Sequence, residues 1–103
     1  MKKIIGGKKY DTDTAQLVAD DDNRFDCNAL GYVHEWLYRK RTGEYFICGE
    51  GGPQSKYAEP CKQAGWARNG SAIVPLTDDE AREWGEEHMD VDAYEAEFGE
   101  VEE

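Results

Sequence analysis

Val33-His34-Glu35-Trp36-Leu37-Tyr38-Arg39-Lys40-Arg41-Thr42-Gly43-Glu44-Tyr45-Phe46-Ile47-Cys48 is the stretch that decides how this chain is read. Its two arms are rich in aromatic and β-branched residues, which suit a pleated, half-buried surface. Between them, Lys40-Arg41-Thr42-Gly43 has the composition of a tight connection. Gly43 can take the positive φ that closes a type I turn with a bulge. The spacing predicts an antiparallel hairpin. Side chains alternate across a strand, so Trp36, Tyr38 and Lys40 share one face and Leu37, Arg39 and Arg41 the other.

On the N-terminal side, Lys2 to Tyr10 reads as a smaller hairpin. Gly6-Gly7 suits the left-handed angles of its two-residue turn. A polar step, Asp11-Thr12-Asp13-Thr14, leads to Ala15-Gln16-Leu17-Val18-Ala19, read as a strand with a short helix as the alternative. Asp20 to Asn28 reads as an acidic loop with Phe25 as its apolar anchor. On the C-terminal side, Gly49 to Ser71 reads as a glycine-rich connection of about 20 residues, interrupted by Pro53 and Pro60. Loops of that length are uncommon in small domains and are often functional. Tyr57-Ala58-Glu59 is read there as one helical turn. Ala72-Ile73-Val74-Pro75-Leu76 is the last strand, at a sheet edge because Pro75 has no amide to donate.

Thr77-Asp78-Asp79-Glu80 is a capping box. The Thr77 hydroxyl accepts from the Glu80 amide while the Glu80 carboxylate reaches back, and the aspartates suit the positive helix end. The helix should run to about His88, with Ala81, Trp84 and His88 on one side. Asp90 or Asp92 then caps a second short helix, on which Val91, Tyr94 and Phe98 fall at helical spacing. Gly99 ends it. At 103 residues with twelve aromatics, the chain has the size of one domain with one modest core. Residues 1–76 are mainly sheet and loops, 77–99 acidic helices and 100–103 an acidic tail. The predicted fold class is α+β: a small antiparallel β-sheet of four or five strands with the C-terminal helices packed on one face.

Charge is distributed unevenly. Thr77 to Glu103 carries thirteen acidic side chains and one basic one, Arg82, whereas the first 76 residues carry eleven basic and ten acidic. The formal net charge of −11 therefore resides in the C-terminal quarter. Such a surface repels nucleic acid and anionic membranes and attracts basic grooves, commonly those that hold nucleic acid. Duplex DNA carries roughly one charge per 1.7 Å of axis, and a helix rises about 1.5 Å per residue. Acids at about half the helical positions approach that density. The plainer reading is a solvated helix face with a frayed acidic end.

Other constellations carry less. Arg39, Lys40 and Arg41 beside Trp36, Tyr38, Tyr45 and Phe46 resemble a platform for single-stranded nucleic acid. The competing reading is a hairpin core with a charged tip, its bases paired with the chain's own acidic helices. Cys27, Cys48, Cys61, His34 and His88 lack the close pair spacing of a zinc site. Asp20-Asp21-Asp22-Asn23 lacks the alternating ligands of a calcium loop. Gly49-Glu50-Gly51-Gly52-Pro53-Gln54-Ser55-Lys56 lacks the Gly-Lys-Ser/Thr ending of a phosphate loop and reads as a place where backbones approach closely. No metal, cofactor or catalytic activity is expected. Three widely spaced cysteines and a basic start with no apolar run after it suggest free thiols in the cytosol.

Several segments together resemble a family of small acidic proteins of bacterial mobile elements. They are Lys2-Lys3-Ile4-Ile5 with Gly7 to Ala15, Leu37 to Phe46 with Gly49 to Gly52, and Ile73 to Thr77. The family resemblance extends to anti-CRISPR inhibitors of type II (II-A) CRISPR effector nucleases, of the kind phages carry. It implies a non-enzymatic inhibitor acting in the bacterial cytoplasm, with an RNA-guided DNA nuclease as partner. Acidic inhibitors of this type often occupy the groove that reads the protospacer-adjacent motif. On this reading Glu83, Glu86, Glu87, Asp90, Glu95 and Glu97 present DNA-like charge, while Trp84, Tyr94 and Phe98 hold the helices on the sheet. The alternatives are a general protein-interaction module of a mobile element, or a nucleic-acid binder using the Arg39–Arg41 hairpin.

Overall fold

The computed structural model describes residues 1–26, 29–60 and 67–102. In chain order the strands are Lys2–Ile5 (β1), Lys8–Asp11 (β2), Gln16–Asp22 (β3), Val33–Arg39 (β4) and Tyr45–Gly51 (β5). Glu59–Pro60 (β6), Ala67–Arg68 (β7) and Gly70–Leu76 (β8) follow, and then the helices Asp78–His88 (α1) and Val91–Phe98 (α2). The main sheet is four-stranded and antiparallel, in the order β3-β4-β5-β8. Among the described residues β1 pairs with β2 alone, and β6 with β7 alone. The fold is α+β.

The central hairpin forms as its sequence predicts. Arg39 faces Tyr45 across the ladder, and the turn closes with the Lys40 amide donating to Glu44 O (2.8 Å) and the Gly43 amide to Lys40 O (2.9 Å). Gly43 has φ +93°, which other residues adopt only at a cost. Alternation then builds two cores. Leu37, Tyr45 and Ile47 point to the helices and bury against Ala81 and Trp84. Phe46 and Ile73 point the other way and bury against Tyr10 of β2. The small hairpin thus covers part of the face that the helices leave open.

The helices are tied down as predicted at their starts. Both halves of the capping box are made: the Glu80 amide donates to Thr77 Oγ1 (3.1 Å) and the Thr77 amide to Glu80 Oε1 (3.0 Å). Asp90 caps α2 by accepting from the Ala93 amide at 2.7 Å. Tyr45, Tyr94 and Phe98 form an aromatic chain that fixes α2, with ring centroids 4.9 to 5.5 Å apart.

Five local expectations are corrected. Asp20–Asp22 continue β3 instead of forming a loop. An edge strand tolerates them because both histidines of the chain receive them: His34 Nε2 lies 2.8 Å from Asp20 and His88 Nδ1 2.8 Å from Asp21. Phe25 is no anchor, being 56% exposed, and Val91 at 71% exposed is no part of the α2 stripe. Glu59 and Pro60 are a short strand, not a helical turn. The long connection is shorter than read, because Gly49–Gly51 belong to β5 and Gly70–Ser71 to β8.

Candidate functional site

The six carboxylates singled out from sequence do not share one surface. Glu83, Glu86 and Glu87 of α1 are exposed. Asp90 is exposed and engaged as the α2 cap. Glu95 is half-buried and accepts from the Val101 amide at 3.3 Å. Glu97 is a fold residue. Its side chain is only 12% exposed, and Oε1 accepts from Arg39 Nη1 (2.6 Å) and the Tyr45 hydroxyl (2.7 Å). Burial, then the bond to Glu97, push the Tyr45 phenol up to about 12. The cause lies in β4, whose alternation aims Arg39 at the helices, directly under α2.

Four of the six carboxylates divide between two clefts. One, of about 470 Å³, lies between α1 and β8. Glu80, Glu83 and Glu87 line its α1 side, spaced so that they fall along one side of the helix. Val74, Leu76 and Trp84 provide apolar wall, and Glu35 lies at the base. The second cleft, of about 510 Å³, lies against α2 and the C-terminal segment, with Glu86 and Glu95 beside Met89, Val91 and Tyr94.

Glu35 is the residue that the sequence reading missed. It is 5% exposed in an apolar strand and makes three contacts that keep it there. The Tyr57 hydroxyl and Lys56 Nζ (2.9 Å) approach Oε2, and Trp84 Nε1 donates to Oε1 at 3.2 Å. Burial would raise its carboxyl pKa. The hydrogen bonds from Tyr57, Lys56 and Trp84 outweigh burial and hold it below the ordinary value. Burial, then the same contact, drives the Tyr57 phenol far up. The sequence signal was present: Glu35 has the parity of Leu37, so alternation places it on the buried face.

Along the helices Glu97 meets Arg39 and Glu87 lies 3.7 Å from His88 Nε2, but much of the negative charge is left uncompensated. Among the described residues, no ion pair reaches Asp78, Asp79, Glu83, Glu86 or Asp92. Arg82, the one base of this quarter, has its guanidinium 5.7 Å from the Phe98 ring centroid. The hairpin bases are differently placed. Arg39 serves Glu97 and Gln16, while Lys40 lies 3.5 Å from Glu44 and 4.2 Å from the Tyr10 ring centroid. Arg41 is exposed. The neighbouring rings are also engaged: Trp36 stacks on His34 at 3.8 Å and Tyr38 on Phe46 at 5.3 Å.

Comparison of the chain with protein-family models, with curated proteins and with solved structures finds no match. Among the described residues, no three metal-ligating side chains converge, and no helix is long and apolar enough to cross a membrane. Cys27 and Cys61 lie outside the described residues. Cys48 is a half-buried free thiol.

Proposed function

We propose that the chain is a protein inhibitor whose acidic helical edge docks in a basic, nucleic-acid-handling groove. An RNA-guided DNA nuclease of a type II CRISPR system is the target implied by the sequence resemblance. The observation that carries this reading is the row of exposed carboxylates on α1, held on a capped helix whose one arginine is turned to Phe98. A fixed helix presents its charges without the ordering cost that a flexible tail would meet on binding. Glu97 drops out of the contact set because it serves Arg39 and Tyr45. Glu83, Glu86 and Glu87 remain as its centre, with Asp78, Asp79 and Asp92 extending the field. Such a surface speeds encounter with a basic groove and makes association sensitive to salt. The competing hairpin reading has less support, since Arg39 and Lys40 are engaged within the fold.

The test is a DNA-cleavage assay with increasing inhibitor at low and moderate salt. Replacing Glu83, Glu86 and Glu87 together by Gln should weaken inhibition about tenfold or more at low salt, at a few tenths to 1 kcal/mol per exposed charge pair. Circular dichroism should not change. Arg41→Ala should inhibit like the native chain. The reverse pattern, with full inhibition by the glutamine variant and loss with Arg41→Ala, would make the hairpin the working surface.

A further inference from the structure

We infer that the cleft between α1 and β8 receives a single arginine side chain projecting from the partner's basic surface, an inference that rests on the reading above that this surface is basic. The cleft differs from a solvated acidic face in having walls and a floor. Val74, Leu76 and Trp84 offer apolar wall for the methylenes of a long side chain, and Glu83 and Glu87 stand at the helical rim. Glu35 is the floor.

The chain itself shows which chemistry the floor accepts. Lys56 places its ammonium 2.9 Å from Glu35 Oε2, while its side chain stays 63% exposed. It reaches in from the rim as a resident cation and can swing out. A carboxylate offers about four acceptor positions. Tyr57 and Trp84 hold two of those on Glu35 from within the fold, so displacing Lys56 leaves the floor open to an incoming donor without breaking the core. A guanidinium fits better than an ammonium. It is planar, more weakly hydrated, able to engage two carboxylate oxygens at once and able to stack on an indole. Four carboxylates against one ammonium line this cleft. A second copy of the chain, itself at −11, is a poor occupant.

The experiment is a titration of the full ¹⁵N-labelled chain with acetyl-Gly-Ser-Arg-Ser-Gly-amide, following the Trp84 indole N–H signal by NMR. The control peptide carries citrulline, which keeps the shape and removes the charge. The arginine peptide should shift the Trp84 signal saturably, with a dissociation constant of about 1–10 mM, near 3–4 kcal/mol. The citrulline peptide should leave it in place. Glu83→Gln with Glu87→Gln should weaken binding about tenfold, and Lys56→Ala should tighten it about threefold by removing the competitor. Equal shifts from both peptides, no saturable shift, or shifts confined to Glu86, Glu95 and α2 would overturn the inference. The arginine–citrulline comparison uses the native chain, so it decides the matter even if a variant fails to fold. Failure here is separable from failure of the inhibitor reading. A silent Trp84 signal with intact nuclease inhibition removes only the arginine cleft. A responsive cleft with no nuclease inhibition removes only the proposed target.

Discussion

The ring of Tyr57 occupies the space where a side chain on Gly49 would stand. Gly49 lies directly across the ladder from Glu35, so a ring laid over this bare position delivers its hydroxyl to the carboxylate on the next strand. A strand glycine normally weakens a sheet. Here its missing side chain admits the aromatic that makes a buried acid tenable. Gly49→Ala should therefore cost about 1–3 kcal/mol, as overpacking does, despite the better strand propensity of alanine. Urea unfolding would measure it, and an unchanged midpoint would show that Tyr57 does not depend on this space.

Glu35 should mark the acid limb of stability. Its folded carboxyl is held below the ordinary 4.5. The unfolded chain therefore takes up a proton at a pH where the folded chain does not. The stability this contributes is complete above the unfolded value and is lost as pH falls through the folded one. Glu35→Gln should be less stable near neutrality by about 1–3 kcal/mol, through mismatched donors in the pocket. Its stability should also change less between about pH 5 and 3. Parallel pH profiles for the two proteins would count against an ionised Glu35.

Glu97 and Glu86 are both acids of the helices, yet they should behave oppositely. Glu97→Gln weakens the tie to Arg39 and Tyr45 and should lower stability by about 1–2 kcal/mol. Glu86→Gln, on an exposed position, should stay within about 0.5 kcal/mol of the native chain. Thermal unfolding of the pair is the measurement. Equal melting temperatures would contradict the interior role of Glu97.

The capping box is complete in both directions. Thr77→Ala should cost about 1 kcal/mol, and Thr77→Ser should retain most of it. An alanine variant with the native denaturation midpoint would mean that α1 is held by packing on Trp84 alone.

All three cysteines should titrate as free thiols in denatured protein without reductant. In the folded chain Cys48 should react slowly with a thiol reagent, because burial raises its pKa and thins the thiolate. Fewer than three thiols after denaturation would reveal a disulfide and with it an oxidising compartment.

The elements that sequence alone determined are those whose signals lie within a few residues. The Arg39–Tyr45 hairpin follows from alternation and one glycine, the start of α1 from Thr77 and Glu80, the edge position of β8 from Pro75. Asp20–Asp22 misled because local polarity predicts a loop, whereas His34 and His88, which accommodate the strand, arrive from β4 and α1. Only the tertiary structure decided which acids face outward. Glu97 reads like its neighbours in sequence and is withdrawn by Arg39, 58 residues away. Glu35 meets Tyr57 and Trp84 across separations of 22 and 49 residues. Periodicity assigns a side chain to a face. What waits on that face depends on how the helices and the loop after β5 fold back over the sheet, and that is set by packing between segments that no local window contains.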